Sequence, residues 1–459
     1  MTSSDNQIII KIPNTFPPER NYILNIILTE LLGLSYSTSP DENIKDYQFI
    51  LPNKNILIIQ DHFFNHCNEP LEYLTEKNIP GHVQLTKNRF TPERDIVVLF
   101  GSGDLKIAEE KNINYLICSI DIFAGAFFML SRWEEYVIKK RDEHNRFTSE
   151  FSLAYKNNFL HRPIVNEYSE MLWNMLVYLG YSGKRKTKKF ELELTHDVDL
   201  LLYIKNLKEM LKRAAGDILK RQNIRLASQT VKIFLSAKLG RKKDPYDSYC
   251  YLMDISERLN VKSRFNFLTG KTTIYDPDNF IHKKWTTRLI KKIVQRGHII
   301  GFHPSYNTYN NKDLWKREYQ RISSISPQPV KTGRQHYLRF TIPDTWQIWD
   351  DHNMEYDSTL AYSDRAGFRC GICDLYSVFN ILSRKKLSLK EKPLIAMDAS
   401  FVEYQKYSPE KTKEQIIHLI NVVKKYKGTF VLLWHNSSFY IPPWDQYQYI
   451  YQEIILNQL

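Results

Sequence analysis

Asp197 and Asp199 stand two residues apart in the stretch KKFELELTHDVDLL, residues 188–201 of a 459-residue chain. The stretch reads as a strand with Glu191, Glu193, Thr195, Asp197 and Asp199 on one face and Leu192, Leu194, His196 and Val198 on the other. Side chains at i and i+2 on a strand lie roughly 6.6 Å apart. Two unpaired carboxylates that close repel unless a cation, a proton or a strong donor lies between them. Such a pair is either a solvated turn or the floor of a site. Further polar residues follow other apolar stretches: His303 after HIIGF, Arg334 and His336 after VKTG, and His435 after TFVLLW. A lone histidine or arginine at a strand end is ordinarily just hydrogen-bonded, but recurrence at successive strand ends favours one shared site. Carboxylates, imidazoles and a guanidinium gathered in one place supply a base, an acid and a charge sink, the needs of acid–base catalysis.

These residues need a scaffold that brings strand ends together. From 245 onward, strand-like segments (SRFNFLTG, HIIGFHPS, PLIAMDASF, TFVLLWHN) alternate with helical ones (DSYCYLMDISERLNV, WTTRLIKKIVQRG, TKEQIIHLINVVKKYKG). Alternation of this kind implies parallel strands joined by crossover helices. The fold class expected is α/β, with a closed or partly closed β/α barrel over 190–459, whose functional residues would gather at the C-terminal ends of the strands. Residues 1–181 alternate QIIIKI, YQFIL, NILIIQ, DIVVLF and NYLICSI with helical RNYILNIILTELLGL and DIFAGAFFMLSRWEEYVIKKR, and predict a smaller α/β domain. The charged, aromatic run 131–147 reads as a solvated helix end and turn. Residues 182–189, small and basic, read as a linker.

Composition is that of a globular protein with 42% apolar residues and a net charge of +13. Twelve of the cations fall in 201–243 against Glu209 and Asp217 alone. That segment reads as a basic helical insertion. It is either simply solvated or turned toward a membrane surface or an anionic glycan carrier. Five scattered cysteines, with one isolated Cys370-Gly-Ile-Cys373 pair, argue for a reducing compartment and against a zinc ribbon. No signal pattern or membrane span is visible, so the protein is expected to be cytoplasmic, either free or peripheral at the inner face of the membrane. No phosphate-binding glycine loop is present, and nucleic-acid binding would rest on charge alone.

Taken in order, THDVD, GHIIGFHPSYN, GRQHYLRF and LLWHN resemble the motifs of polysaccharide deacetylases of the NodB-homology type, the family-4 carbohydrate esterases. The resemblance covers about 190–440, and the preceding region resembles a little-characterised domain that accompanies such modules in some bacterial chains. It implies Asp197 as general base, Arg334 as the arginine that orients it and His435 as general acid. It implies Asp199 and His303 as ligands of a divalent metal, zinc in the first instance. The family's second metal-binding histidine falls at position 307, which here is Asn307. An amide oxygen is a poor zinc ligand beside imidazole. Asn307 as a weak third ligand, a water in its place, His336 swung in, or a metal-free or dead site are the alternatives. A second departure is the absence of the proline usual after Arg334.

The function implied is a metal-dependent hydrolase of C–N bonds other than peptide bonds, removing N-acetyl or similar groups from sugars of a surface polysaccharide or its precursor. The rival is a non-catalytic glycan-binding or scaffold protein of polysaccharide assembly with an eroded metal site.

Overall fold

The computed structural model describes residues 7–91, 93–277 and 284–456. The first six residues, part of the N-terminal stretch read as lacking a signal pattern, lie outside it. Eight strands precede residue 121: β1 (Ile8–Pro13), β2 (Tyr36–Asp41), β3 (Tyr47–Ile50), β4 (Ile56–Ile59), β5 (Gln84–Thr86), β6 (Ile96–Val98), β7 (Gly101–Glu110) and β8 (Ile113–Ile120). Six of them form a mixed sheet in the order β2-β1-β3-β4-β8-β7, while β5 and β6 pair separately. Four of the apolar runs became its inner strands β1, β3, β4 and β8, while DIVVLF became β6 of the separate pair. The edges β2 and β7 carry almost no buried residues, so no apolar pattern marks them in the sequence.

The second sheet holds β9 (Glu191–Val198), β10 (Arg264–Leu268), β11 (Ile299–His303), β12 (Thr332–Gly333), β13 (Tyr356–Asp357), β14 (Tyr376–Asn380), β15 (Lys385–Glu391), β16 (Ala396–Met397) and β17 (Thr429–Leu433). Their order is β14-β15-β13-β12-β11-β10-β9-β17-β16. Every neighbouring pair is parallel except β14–β15. No ladder joins the edge strands β14 and β16 among the described residues, so the expected barrel is not closed by hydrogen bonds. The sheet is nevertheless strongly curled. Tyr356 of β13 donates its hydroxyl to Glu193 of β9 at 2.9 Å, although strands four places apart in a flat sheet would be ~19 Å from one another.

Residues before 181 pack directly onto this sheet, and one apolar interior runs from Ile8 to Ile455. The helix Ile122–Ser131, buried at every position, lies against β14. Beyond it, the head of the charged run expected to be solvated is instead buried, with Arg132, Glu134 and Glu135 each at most 3% exposed, while Lys139, Lys140 and Glu143 further on are exposed. Pairing makes this possible. Glu135 accepts from Arg132 at 2.9 Å and from Nε and Nη2 of Arg369 at 2.9 and 2.5 Å. Burial alone would raise the Glu135 carboxyl, but Arg369 and then Arg132 pull it down to about 2. Glu193, held between Arg264 and Lys392, is likewise lowered to about 2 against the cost of burial.

Both glutamates bind more protons unfolded than folded between their free pKa of 4.5 and about 2. Their stabilisation is therefore complete above about pH 4.5 and is lost as the pH falls through about 2. Urea midpoints between pH 5 and 2.5 should fall steeply for the wild type. Glu135→Gln should be less stable at pH 7 by about 3–5 kcal/mol, the cost of breaking a buried pair, and should show a shallower acid slope. An unchanged slope in that variant would remove Glu135 from the account.

Candidate active site

Asp197 lies near the end of β9, beside Asn266 of β10 and, one strand further, Gly301 of β11. The Asn266 amide donates to Asp197 Oδ1 at 2.7 Å, and Arg334 Nη1 donates to the same oxygen at 2.9 Å. A Cβ at Gly301 would collide with the Asn266 carboxamide, so that glycine makes room for the Asn266–Asp197 contact. Arg334, fully buried, is fixed without the family's proline. It donates to the Ser358 carbonyl at 2.8 Å, to Ser358 Oγ at 3.1 Å and to Thr195 Oγ1 at 3.0 Å. Burial opposes ionisation of Asp197, but Arg334, then His303 and His435, hold its carboxyl below the ordinary value. No hydrogen bond is formed on Asp197 Oδ2 among the described residues.

Asp199 follows β9 by one residue and points between three imidazoles. Its Oδ1 lies 3.1 Å from His303 Nε2 and 3.7 Å from His336 Nε2, and its Oδ2 lies 3.5 Å from His435 Nε2. Despite this proximity Oδ1 is buried without a hydrogen bond of acceptable geometry. His303 Nδ1 is 2.5 Å from the Arg334 carbonyl, and His336 Nδ1 is 2.9 Å from Asp276 Oδ1. Each Nδ1 facing an acceptor carries the proton, which leaves the Nε2 lone pairs directed at the orphaned carboxylate oxygen. One ligand atom each from Asp199, His303 and His336 lies within 4.8 Å of the others. One carboxylate and two imidazoles with oriented outer partners fit a divalent ion of the zinc class.

Asn307 is not brought to this cluster. His303 ends β11, residues 304 and 305 are irregular, and a turn follows, so residues 303 and 307 never share the helical turn that would align them. Asn307 is exposed, with its side-chain oxygen accepting from Arg339 Nη1 at 3.2 Å. The side chain that does lie beside Asp199 and His303 is His336, delivered by the turn after β12.

On the opposite side of Asp199, His435 follows β17 and receives Asp398, which follows β16. His435 Nδ1 is 2.8 Å from Asp398 Oδ1, and its backbone NH donates to Oδ2 at 2.9 Å. Burial disfavours the imidazolium, but Asp398, and after it Asp199 and Asp197, push its pKa up to about 10. Asp398 carried a visible signal, a carboxylate ending the apolar stretch PLIAM. Asp276 had none, lying in a turn where Thr272, Thr273 and Tyr306 donate to it.

The cavity over these groups has a volume of about 320 Å³. Its wall includes His144 and Arg146, from the run read in sequence as a solvated turn. Arg146 donates to Asp142 at 2.8 Å, to the Tyr337 carbonyl at 3.2 Å and to the Tyr404 hydroxyl at 3.0 Å. The N-terminal region thus holds the Tyr404 side chain and the Tyr337 backbone, two residues that line the pocket.

Residues 8–180 match a family model described as a family of unknown function, DUF7033. No curated protein matches the chain. Among solved structures it is similar to a candidate polysaccharide deacetylase from Mycobacterium smegmatis, at 17% identity and a TM-score of 0.39 over 59% of this chain and 84% of that one. It is also similar to the catalytic domain of a peptidoglycan N-acetylglucosamine deacetylase from Eubacterium rectale, at 11% identity and 0.27 over 59% and 86%. A CE4 family pseudoenzyme from Bacillus anthracis overlaps at 12% identity and 0.27 over 59% and 62%. Likenesses this distant assign neither activity nor residue roles, which rest on the side-chain geometry.

Proposed function

We propose that the protein is a metal-dependent hydrolase that removes N-acetyl or similar acyl groups from sugars. The observation that carries this reading is the buried, orphaned Asp199 Oδ1 facing the Nε2 atoms of His303 and His336, with Asp197–Arg334 on one side and His435–Asp398 on the other. A divalent ion held by Asp199, His303 and His336 would polarise an acyl oxygen and acidify water. Asp197 is ionised, pinned through Oδ1 and open at Oδ2, and takes the proton of the attacking water. His435, kept charged by Asp398, donates a proton to the departing amine from the other side. Arg334 holds Asp197 in place and offsets its charge. The aromatic faces of Tyr337, Tyr404 and Trp444 beside these polar groups suit a carbohydrate, which presents both apolar ring faces and hydroxyl edges.

The rival reading of an eroded glycan-binding centre rested on Asn307, and loses that support once His336 fills the third position. Five free cysteines, four of them buried, fit a reducing compartment. No helix among the described residues is long and apolar enough to cross a membrane.

Acetate release from N-acetylated oligosaccharides tests the proposal. Release should stop on chelation and return with zinc. Metal-loaded, folded protein that releases no acyl group from any N-acylated sugar would overturn it.

A further inference from the structure

The insertion after β9 forms two helices, Leu207–Leu219 and Ile224–Lys238, joined by four residues and packed on each other. A connection that short makes them antiparallel. Their shared interface is small: Met210 meets Phe234, and Asp217 accepts from Thr230 Oγ1 at 3.0 Å. Seven large apolar side chains remain outside it. Leu219, 78% exposed, lies toward the outer edge of the first helix, and the other six are Leu207, Leu211 and Ile218 on the first helix and Ile224, Leu235 and, just past its end, Leu239 on the second, each 47–74% exposed. At about 100° per residue, each set forms one stripe. Each stripe is rotated from its helix's buried face by roughly 70–110° in the same sense along the chain. In an antiparallel pair, equal-sense rotations from the shared interface bring both stripes to the same side. Lys208 and Lys212, and Arg225 and Lys232, fall a further quarter-turn round, along the two outer edges of that face. None of these four cations has a carboxylate partner among the described residues. The two acids of the arm are occupied, Glu209 with Arg213 and Asp217 with Arg221.

We propose that this helical arm is a docking surface for an anionic lipid bilayer, a property beyond the hydrolase reading and independent of it. An apolar ridge bordered on both long edges by long cationic side chains matches the boundary between acyl chains and anionic headgroups, with the lysine and arginine stems lying along the ridge. A second copy of the chain would bring like-charged edges together, which disfavours self-association. The placement is also telling. Asn436, next to His435, donates to the carbonyls of Leu200 and Tyr246, one at each root of the arm, at 2.9 Å. Ser248 Oγ in turn donates to the Asn436 carbonyl at 2.7 Å. Both roots of the arm are therefore tied to the residue that follows His435.

Co-sedimentation of the full chain with vesicles tests this, using phosphatidylglycerol–phosphatidylcholine mixtures against pure phosphatidylcholine. Binding should be at least about tenfold tighter to the anionic vesicles and should weaken with salt. Leu211→Ser with Leu235→Ser, and separately Lys208→Gln with Lys232→Gln, should each reduce it by about tenfold or more. Circular dichroism and gel filtration would verify that each variant is folded. Absence of binding to anionic vesicles, equal binding to neutral ones, or full binding by both folded variants would overturn the proposal. Concentration-dependent self-association that the same substitutions abolish would overturn it as well, by making this face a protein interface.

Discussion

His336→Ala is expected to lose metal and activity together, while Asn307→Ala keeps both near the wild-type level. The contrast follows from which side chain faces Asp199. His336 Nε2 lies 3.7 Å from Asp199 Oδ1 with its Nδ1 anchored on Asp276, whereas Asn307 is exposed and engaged with Arg339. Removing an imidazole leaves two protein ligands, too few for a stable catalytic zinc site. The loss in affinity should exceed the roughly 10–100-fold typical of an outer-sphere change, and Asp276→Asn should fall in that smaller range. Asn307→His should not tighten zinc. Zinc titration with elemental analysis decides the matter. Retained metal in His336→Ala, or lost metal in Asn307→Ala, would return the third position to residue 307.

Asp197→Asn should lower the rate by roughly 10²–10⁴-fold, the range for a lost general base, with metal content unchanged. Asp199→Asn should lose both. Asp197→Asn also leaves the fully buried Arg334 without the carboxylate it touches, so a destabilisation of about 3–5 kcal/mol accompanies the kinetic effect. The rate comparison therefore belongs at a temperature where both proteins are folded. His435→Ala should cost a similar factor on substrates with poor leaving amines and less where the amine departs readily. Equal loss of metal in the Asp197 and Asp199 variants would dissolve the division between base and ligand. An unchanged rate in His435→Ala on every substrate would exclude that histidine from the proton transfer.

Local pattern in the sequence was enough for the inner strands, the long helices and the gathering of Asp197, Asp199, His303, Arg334 and His435 at strand ends. Apolar periodicity is a local property, and parallel strands deliver their ends to a common edge once crossover helices join them. What local pattern lacks is anything set by distance in space. The edge strands β2 and β7 bury too little to leave a period, and the two-residue strand β13 is too short to show one. Position 307 came from the family resemblance, whose two histidines stand four residues apart, a spacing that brings side chains together within a helical turn. The chain instead leaves β11 through an irregular segment, and a different loop supplies the ligand. Asp276 serves His336 from sixty residues away, and Asp398 serves His435 from another strand end. The charged run 131–147 looked solvated because a sequence shows charges without their partners. Arg369 lies 234 positions beyond Glu135, and only the folding of the N-terminal region onto the second sheet brings the two together and sets Arg146 at the cavity wall.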